Sequence, residues 1–418
     1  MSEVSATPAT PQPASRHAVT FVMLTVLLDM AGFGIIIPVL PKLIGEVAHV
    51  GLAEAAKIGG WMAAAYSMAQ FAFGPMMGNL SDRFGRRPLL LLAIFGLGVD
   101  FLAQALAPTV PWLFFGRTLA GLCGASWVIA NAYIADITPP DERGKAFGLM
   151  GAAFGLGFII GPAIGGLLGE FGARVPFYVA AAVSGLNLIY GYFVLPETLA
   201  PENRRPFEWR RSNPFGAFTV FRQYHGVLPM CLVLAMFFFF TSVYPAIWPF
   251  WAKARFGWSE AGVGLTLAFF GLVMAGFQAG LSGRFIVWFG ERKSVAIGLV
   301  CATIAATGYG VVWNVPLVMI LMFIHGPEGF IHPMLTALMS KRVPENAQGE
   351  LQGGLSAIMN VAILLGTVFY TQVFGFFMTE GAPFQSPNVS YYVAGGGMAL
   401  TVVIFLWLVG HEREGIAA

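Results

Sequence analysis

The chain has 418 residues, 57% hydrophobic and 11% charged, with 23 Lys and Arg against 21 Asp and Glu for a net charge of +2. A soluble domain carries about 25% charged residues, so the composition excludes an ordinary water-soluble fold. The basic residues are spread over loops between apolar runs, so the net charge gives no sign of a nucleic-acid partner, and none is expected.

Residues 1–17 are rich in Ser, Thr, Ala and Pro and lack an apolar core, and they read as a disordered tail rather than a signal peptide. Twelve apolar runs come after it, at 18–41, 57–80, 88–107, 110–136, 144–169, 175–195, 227–250, 259–282, 293–313, 315–338, 350–378 and 387–410. Each is close to the roughly 20 residues that a helix needs to cross about 30 Å of hydrocarbon. The linker 197–226 divides them into six-helix bundles at 18–196 and 227–410, and 411–418 forms a short tail. The fold class expected is an all-α membrane protein of twelve transmembrane helices in two pseudo-symmetric bundles. With both termini cytoplasmic, 17 of the 23 Lys and Arg fall on the inner side, five (Lys42, Lys57, Arg174, Lys253, Arg255) on the outer side, and Arg117 within a span. That bias sets the orientation. Cys123, Cys231 and Cys301 lie inside spans without metal-ligand spacing and read as packing residues.

The halves repeat each other. "SDRFGRRPLLL" after the second span answers "IVWFGERKSVA" after the eighth, and "PPDERGKAFG" answers "VPENAQGELQG"; Gly85 pairs with Gly290 and Gly144 with Gly349, both 205 residues apart. Duplication of this kind marks secondary transporters, whose substrate binds near the bilayer midplane between repeats.

Charges inside the spans cost roughly 2.5–3.5 kcal/mol each and are functional candidates. Asp29 lies about 12 residues, ~18 Å of helix, from either end of its run, and Glu328 lies about as deep in the tenth, so each half carries one acid at transport depth. Burial favours the neutral form of a carboxyl, which suits a group that is neutralised in turn by a proton and by a cationic substrate. Asp100 and Arg117 match in depth and are expected to pair. His325, Glu328 and His332, at i, i+3 and i+7, share one face of an ideal helix and suggest a cavity lining with a proton relay. The same spacing invites a metal site or a membrane-embedded enzyme, against which stand Pro327 and the lack of a fourth ligand. In the aromatic seventh span, Tyr244 and Trp248 beside Pro245 are expected to face inward. Gln70, Gln278 and Asn131 are candidate polar contacts for substrate.

Three motifs carry a family resemblance: "GNLSDRFGRRP" (78–88), Arg117 in "FFGRTLAGLCGA", and "GLMGAAFGLGFIIGPAIGG" (148–166). Through them the chain resembles the major facilitator superfamily, and within it the tetracycline-resistance type of drug/proton antiporter, over almost its whole length. The resemblance implies a bacterial inner-membrane transporter, not an enzyme, using no cofactor beyond protons as coupling ion, with a small-molecule substrate, the lipid bilayer as its surroundings and a monomeric state. It implies a cytoplasmic latch at Asp82, Arg86 and Asp136, with Asp82 against the helix N-terminus near Gly349. It implies an antiporter motif at Gly157, Gly161 and Pro162, where small residues allow close packing and Pro162 removes a backbone donor. Asp29, Asp100, Arg117 and Gln70 match the family's first-half pattern. Met274 and Ala302 stand where tetracycline exporters carry a histidine and an aspartate, so the second half has lost two ionisable groups and gained Glu328 with its histidines. An uptake symporter or facilitator for a small organic solute is the alternative reading on the same fold.

Overall fold

The computed structural model describes residues 16–124, 126–139, 142–207, 220–224, 226–344 and 347–417. The tail before Arg16 and linker residues 208–219 lie outside the described residues. Twelve helical segments form the body: α1 (Arg16–Ala48), α2 (Leu52–Phe84), α3 (Arg86–Ala105), α4 (Val110–Ile137), α5 (Arg143–Gly169), α6 (Val175–Val194), α7 (Val227–Phe256), α8 (Glu260–Gly280), α9 (Ser282–Val311), α10 (Val315–Ser340), α11 (Gln348–Met378) and α12 (Val389–Ala417). No strand occurs among the described residues. Eleven of these helices are long and apolar enough to cross a membrane. The twelfth, α2, has 33 residues but is diluted by Trp61, Tyr66, Ser67, Gln70 and Pro75. The last helix continues through Ala417 and takes in most of the residues expected as a tail.

Two helices are interrupted where proline chemistry demands it. α7 turns at Ser242, between Val227–Thr241 and Val243–Phe256. Pro245 has no N–H to offer the carbonyl of Thr241, one turn earlier, so the break falls just before the proline. α10 consists of Val315–His325, a 3-10 turn Gly326–Phe330 and Ile331–Ser340. Pro327 and Pro333 remove two backbone donors, and the tighter turn between them re-aims the second segment of the helix.

Within the first half α1 packs chiefly on α5, α3 on α6 and α2 on α4, while in the second α9 packs on α12 and α7 on α11. The halves meet along α5–α8 and α2–α11. The apolar core shows how far they meet. Toward the face opposite the termini one cluster runs through both halves, from Ile35 and Leu43 to Phe250, Trp251 and Phe374. Toward the terminus-bearing face it splits into a first-half cluster around Phe21, Leu90 and Tyr133 and a second-half cluster around Val227, Leu299 and Met339. The two bundles are therefore closed together at one face and apart at the other.

The repeat is visible in the backbone. Gly85 (φ +106°), between α2 and α3, and Gly290 (φ +75°), at a kink inside α9, are 205 residues apart and both take a positive φ. A Cβ at Gly85 would lie 2.2 Å from a Glu197 carboxylate oxygen. Gly85→Ala is expected to lower stability by about 1–3 kcal/mol, read as a lower Tm of the detergent-solubilised protein; an unchanged Tm would show that the turn carries no strain.

Candidate functional site

The buried charges form one cluster in each half. In the first, Arg117 Nη2 of α4 lies 3.2 Å from Asp100 Oδ2 of α3, the pair expected from their matched depth, and Gln104 Nε2 donates to Asp100 Oδ1 at 2.7 Å. Asp100 is fully buried and Arg117 is 8% exposed. The guanidinium also stands 5.2 Å over the ring of Tyr66, a cation–π contact. Gln70 Nε2 donates to the Tyr66 hydroxyl and to the Gly124 carbonyl, each at 3.3 Å. Asp29, half-buried on α1, is hydrogen-bonded to the side chain of Ser126. Asn131 spends its amide on its own helix, donating to the Trp127 carbonyl at 2.8 Å. Tyr66, Gln104 and Ser126 carry no charge and so gave no signal in the sequence.

The second half solves the same positions differently. Counterparts 205 residues on from Asp100 and Arg117 are Ala305 and Met322, both buried. Breaking a buried ion pair from one side costs about 3–5 kcal/mol, whereas replacing both partners is often neutral. Asp100→Ala alone is therefore expected to lower the Tm sharply, and Asp100→Ala with Arg117→Met to recover most of the loss. Equal destabilisation by both variants would show that the pair adds nothing to stability.

The second cluster gathers residues from every helix of its half. His325 and Glu328 of α10 touch through Nε2 and a carboxylate oxygen. The His325 ring lies 4.3 Å from Tyr244 of α7, 4.8 Å from Phe270 of α8 and 6.1 Å from Tyr309 of α9. Tyr391 of α12 is 5.6 Å from Tyr309 and 6.1 Å from Tyr244. Tyr370 of α11 is fully buried, and its backbone carbonyl accepts from the Ser390 hydroxyl of α12 at 3.3 Å. Trp248 is buried behind this group, its indole N–H donating to Thr266 at 3.2 Å. Beside it an apolar cavity of about 330 Å³ opens between α7 and α11, lined by Ala235, Met236, Phe239, Phe240, Ile358, Val361, Ala362 and Leu365. Phe239 joins the two, since its ring also packs on Tyr370 at 5.9 Å.

His332 does not belong to this group. The 3-10 turn shifts the register after Pro327, so the i+7 position leaves the face of His325 and Glu328; the His332 ring is exposed and packs edge-on against Phe238 at 5.4 Å. Gln278 is exposed on the part of α8 where Gly276 and Gly280 have no close neighbours. Met274 reaches Gly329, next to Glu328, with its Cε 3.1 Å from where a Gly329 Cβ would stand. The three cysteines are free; Cys123 and Cys231 are buried and Cys301 half-buried.

At the terminus-bearing face, Arg86 ties three elements together. Its Nη1 is 2.5 Å from Asp82 and 2.7 Å from the Ser81 hydroxyl, and its Nε is 3.1 Å from Asp136. Glu197 accepts from the backbone N–H groups of Arg86 and Arg87 and so caps α3. The expected contact of Asp82 with the α11 N-terminus is not made: Asp82 is held by Arg86, and nothing lies within 4 Å of a Cβ at Gly349. With the bundles apart at this face, the distance is too great. The second half carries the counterpart with charges exchanged: Glu291 and Lys341, 205 residues on from Arg86 and Asp136, pair at 2.6 Å.

At the opposite face glycines let helix backbones meet. Within the first half a Cβ at Gly157 or Gly161 would lie 2.3 or 2.4 Å from the Leu27 or Ala31 carbonyl of α1, and between the halves the Pro162 carbonyl lies 2.1 Å from where a Gly264 Cβ would stand on α8. Gly148, at the start of the same motif, faces open space. Glu170 accepts from the backbone N–H of Ala261 at 2.9 Å, capping α8 across the interface, while Lys253 and Glu260 form an ion pair beside it. That N–H and the Ser259 side chain hold the Glu170 carboxyl below the usual carboxylate range. The contact therefore persists at neutral pH and is lost only as pH falls through the lowered value.

Residues 22–367 match the Major Facilitator Superfamily, with an overlapping second match over 230–417. Tetracycline resistance protein class C of Escherichia coli is 36% identical over 370 residues, covering 86% of this chain and 90% of that protein. Multidrug resistance protein 2 of Bacillus subtilis is 27% identical over 396 residues, covering 94% and 95%. Among solved structures, the nucleoside transporter NupG superposes with a TM-score of 0.75 at 13% identity over 94% of this chain and 99% of that one. A human organic anion transporter does so at 0.69 and 22% identity over 94% and 100%. Two six-helix bundles closed at one face, with buried charges in each and relatives aligned from end to end, leave one conclusion: the chain is a multi-pass membrane protein of the Major Facilitator Superfamily, a family of small-molecule transporters.

Proposed function

We propose that this protein is a proton-coupled antiporter that exports small amphipathic or aromatic compounds, working by alternating access in a bacterial inner membrane as a monomer. The observation that carries the reading is the acid in each half: Asp29 half-buried in one bundle and Glu328 set among aromatic side chains in the other. The names of the relatives, tetracycline resistance and multidrug resistance, favour drug export over uptake.

The excess of Lys and Arg places both termini in the cytoplasm, so the closed face is external and this form of the protein is open to the cytoplasm. In it Asp29 exchanges its proton with the inside. Asp100 and Arg117, the ion pair of the same half, transmit its charge state to α3 and α4. Loss of the histidine and aspartate of tetracycline exporters, at Met274 of α8 and Ala302 of α9, is offset by Glu328 of α10, which Met274 adjoins through Gly329. His325 assists it. Gln70, Asn131, Tyr244, Trp248 and Gln278 contribute to the substrate path. Asp82, Arg86 and Asp136 form the cytoplasmic latch, released in this state, while Gly157, Gly161 and Pro162 seal the outer side.

Inverted membrane vesicles energised to an acidic interior test the reading with a panel of lipophilic drugs and a pH-sensitive dye. Protein-dependent alkalinisation on adding a compound is expected. Acidification, or drug movement without any proton signal, would overturn antiport and favour symport or facilitated uptake.

A further inference from the structure

The crossing of α7 on α11 repeats, 205 residues on, the crossing of α1 on α5, but it is packed differently. In the first half small residues close the crossing: Cβ atoms at Gly157 and Gly161 would strike the Leu27 and Ala31 carbonyls, and one at Gly34 would lie 2.6 Å from Pro162. In the second half Gly366, the counterpart of Gly161, still brings the backbones together, since its Cβ would lie 2.5 Å from the Phe239 carbonyl. One turn nearer the terminus-bearing face Ala362 replaces Gly157, while Met236, Phe239 and Ile358 replace Ala31, Gly34 and Ala153. Small residues let helices approach closely, and these larger ones hold α7 and α11 apart. The gap they leave is the apolar cavity of about 330 Å³.

Its position decides what surrounds it. Phe239 is 12 residues into α7, ~18 Å of helix, and Ile358 is 10 residues into α11, ~15 Å, so the cavity sits near mid-membrane. Ser356, Asn360 and Thr367 fall on the other side of α11. Phe240 closes the side toward α12, its ring 2.0 Å from where a Gly397 Cβ would stand, and the mouth is at Leu365, 56% exposed. A bilayer presents hydrocarbon to that face. Water needs two to four polar partners and meets only aliphatic and aromatic side chains here. A helix, 10–12 Å across, is too wide for a recess between two adjacent helices. An apolar cavity of about 150 Å³ takes up benzene, and this one is larger.

We propose that this crevice binds the methyl end of a phospholipid acyl chain, wedged between α7 and α11 where the first half has its glycine contact. The chain gains dispersion contacts, because the wall atoms of an unfilled void lack partners on one side. The headgroup takes no part, since no polar side chain lines the walls. The proposal stands whichever solute the protein carries and in whichever direction.

Phosphatidylcholine with a diazirine at the methyl end of one chain tests this on the full-length protein. The protein is reconstituted with it, moved into a lipid-free steroidal detergent whose rigid rings cannot replace a chain, irradiated and mapped by peptide mass spectrometry. Adducts on Met236, Phe239, Ile358 or Leu365 are expected to survive the transfer, amounting to a single chain per protein. Those on Leu186 of α6 and Val403 of α12, which are exposed and sample surrounding lipid, should be lost. A diazirine beside the glycerol should leave the crevice unlabelled, and phosphatidylglycerol should label as phosphatidylcholine does. Ala362→Phe and Ala235→Phe fill the crevice from opposite walls and should each cut the retained label on the order of tenfold; either one decides the matter if the other proves misfolded. Retained label no higher in the crevice than at Leu186 and Val403, undiminished label in a folded variant, or labelling that requires one headgroup would overturn the proposal.

Discussion

Glu328→Gln is expected to bring gradient-driven drug transport down to the level of protein-free vesicles while the protein stays folded. The amide keeps the size of the carboxylate and can still hydrogen-bond His325, so the 3-10 turn and the aromatic walls remain packed. What it removes is the charge, and with it the ability to hold a proton and a cation in turn. Measured in proteoliposomes with an imposed pH gradient, undiminished transport by the folded variant would refute Glu328 as a carrier.

Gly264→Val should shift the protein away from the outward-closed state. The Pro162 carbonyl occupies the space a side chain would need, and the Gly166 Cα lies 3.0 Å from the same point. Both obstacles are backbone, so relief requires α5 and α8 to separate at the outer face. Overpacking of this kind costs about 1–3 kcal/mol, on the order of 5- to 150-fold in the population of the closed form. Spin labels at Phe171 and Trp313, exposed on that face in opposite halves, should report longer distances in the variant, and transport should fall with them. A distance distribution like the parent's would show that the α5–α8 contact does not govern closure. Gly276, which has open space around it, supplies the control: Gly276→Val should leave the distances as they are.

The division between what is legible in the sequence and what is not follows the range of the forces involved. Apolar run length and the 205-residue repeat are local or periodic properties, set by the solvent each segment meets, so twelve helical segments and two related halves can be read from the chain by itself. The same holds for Asp29, Asp100, Arg117 and Glu328, because a charge in a hydrocarbon-length run is conspicuous whatever surrounds it. The latch residues Asp82 and Arg86 are four apart in sequence, across the turn from α2 to α3, and their pairing needed no tertiary information. Tyr309, Tyr370 and Tyr391 were silent, because a tyrosine in a span looks like any other apolar ring until five other helices place it. His332 was misplaced because helical spacing assumes a constant turn, and two prolines in α10 change it. Which face is closed was undecidable from the chain, since one sequence serves both ends of the transport cycle. Only the packing of α5 on α8 and α2 on α11, where glycines let backbones meet at one face and the bundles part at the other, selects the state.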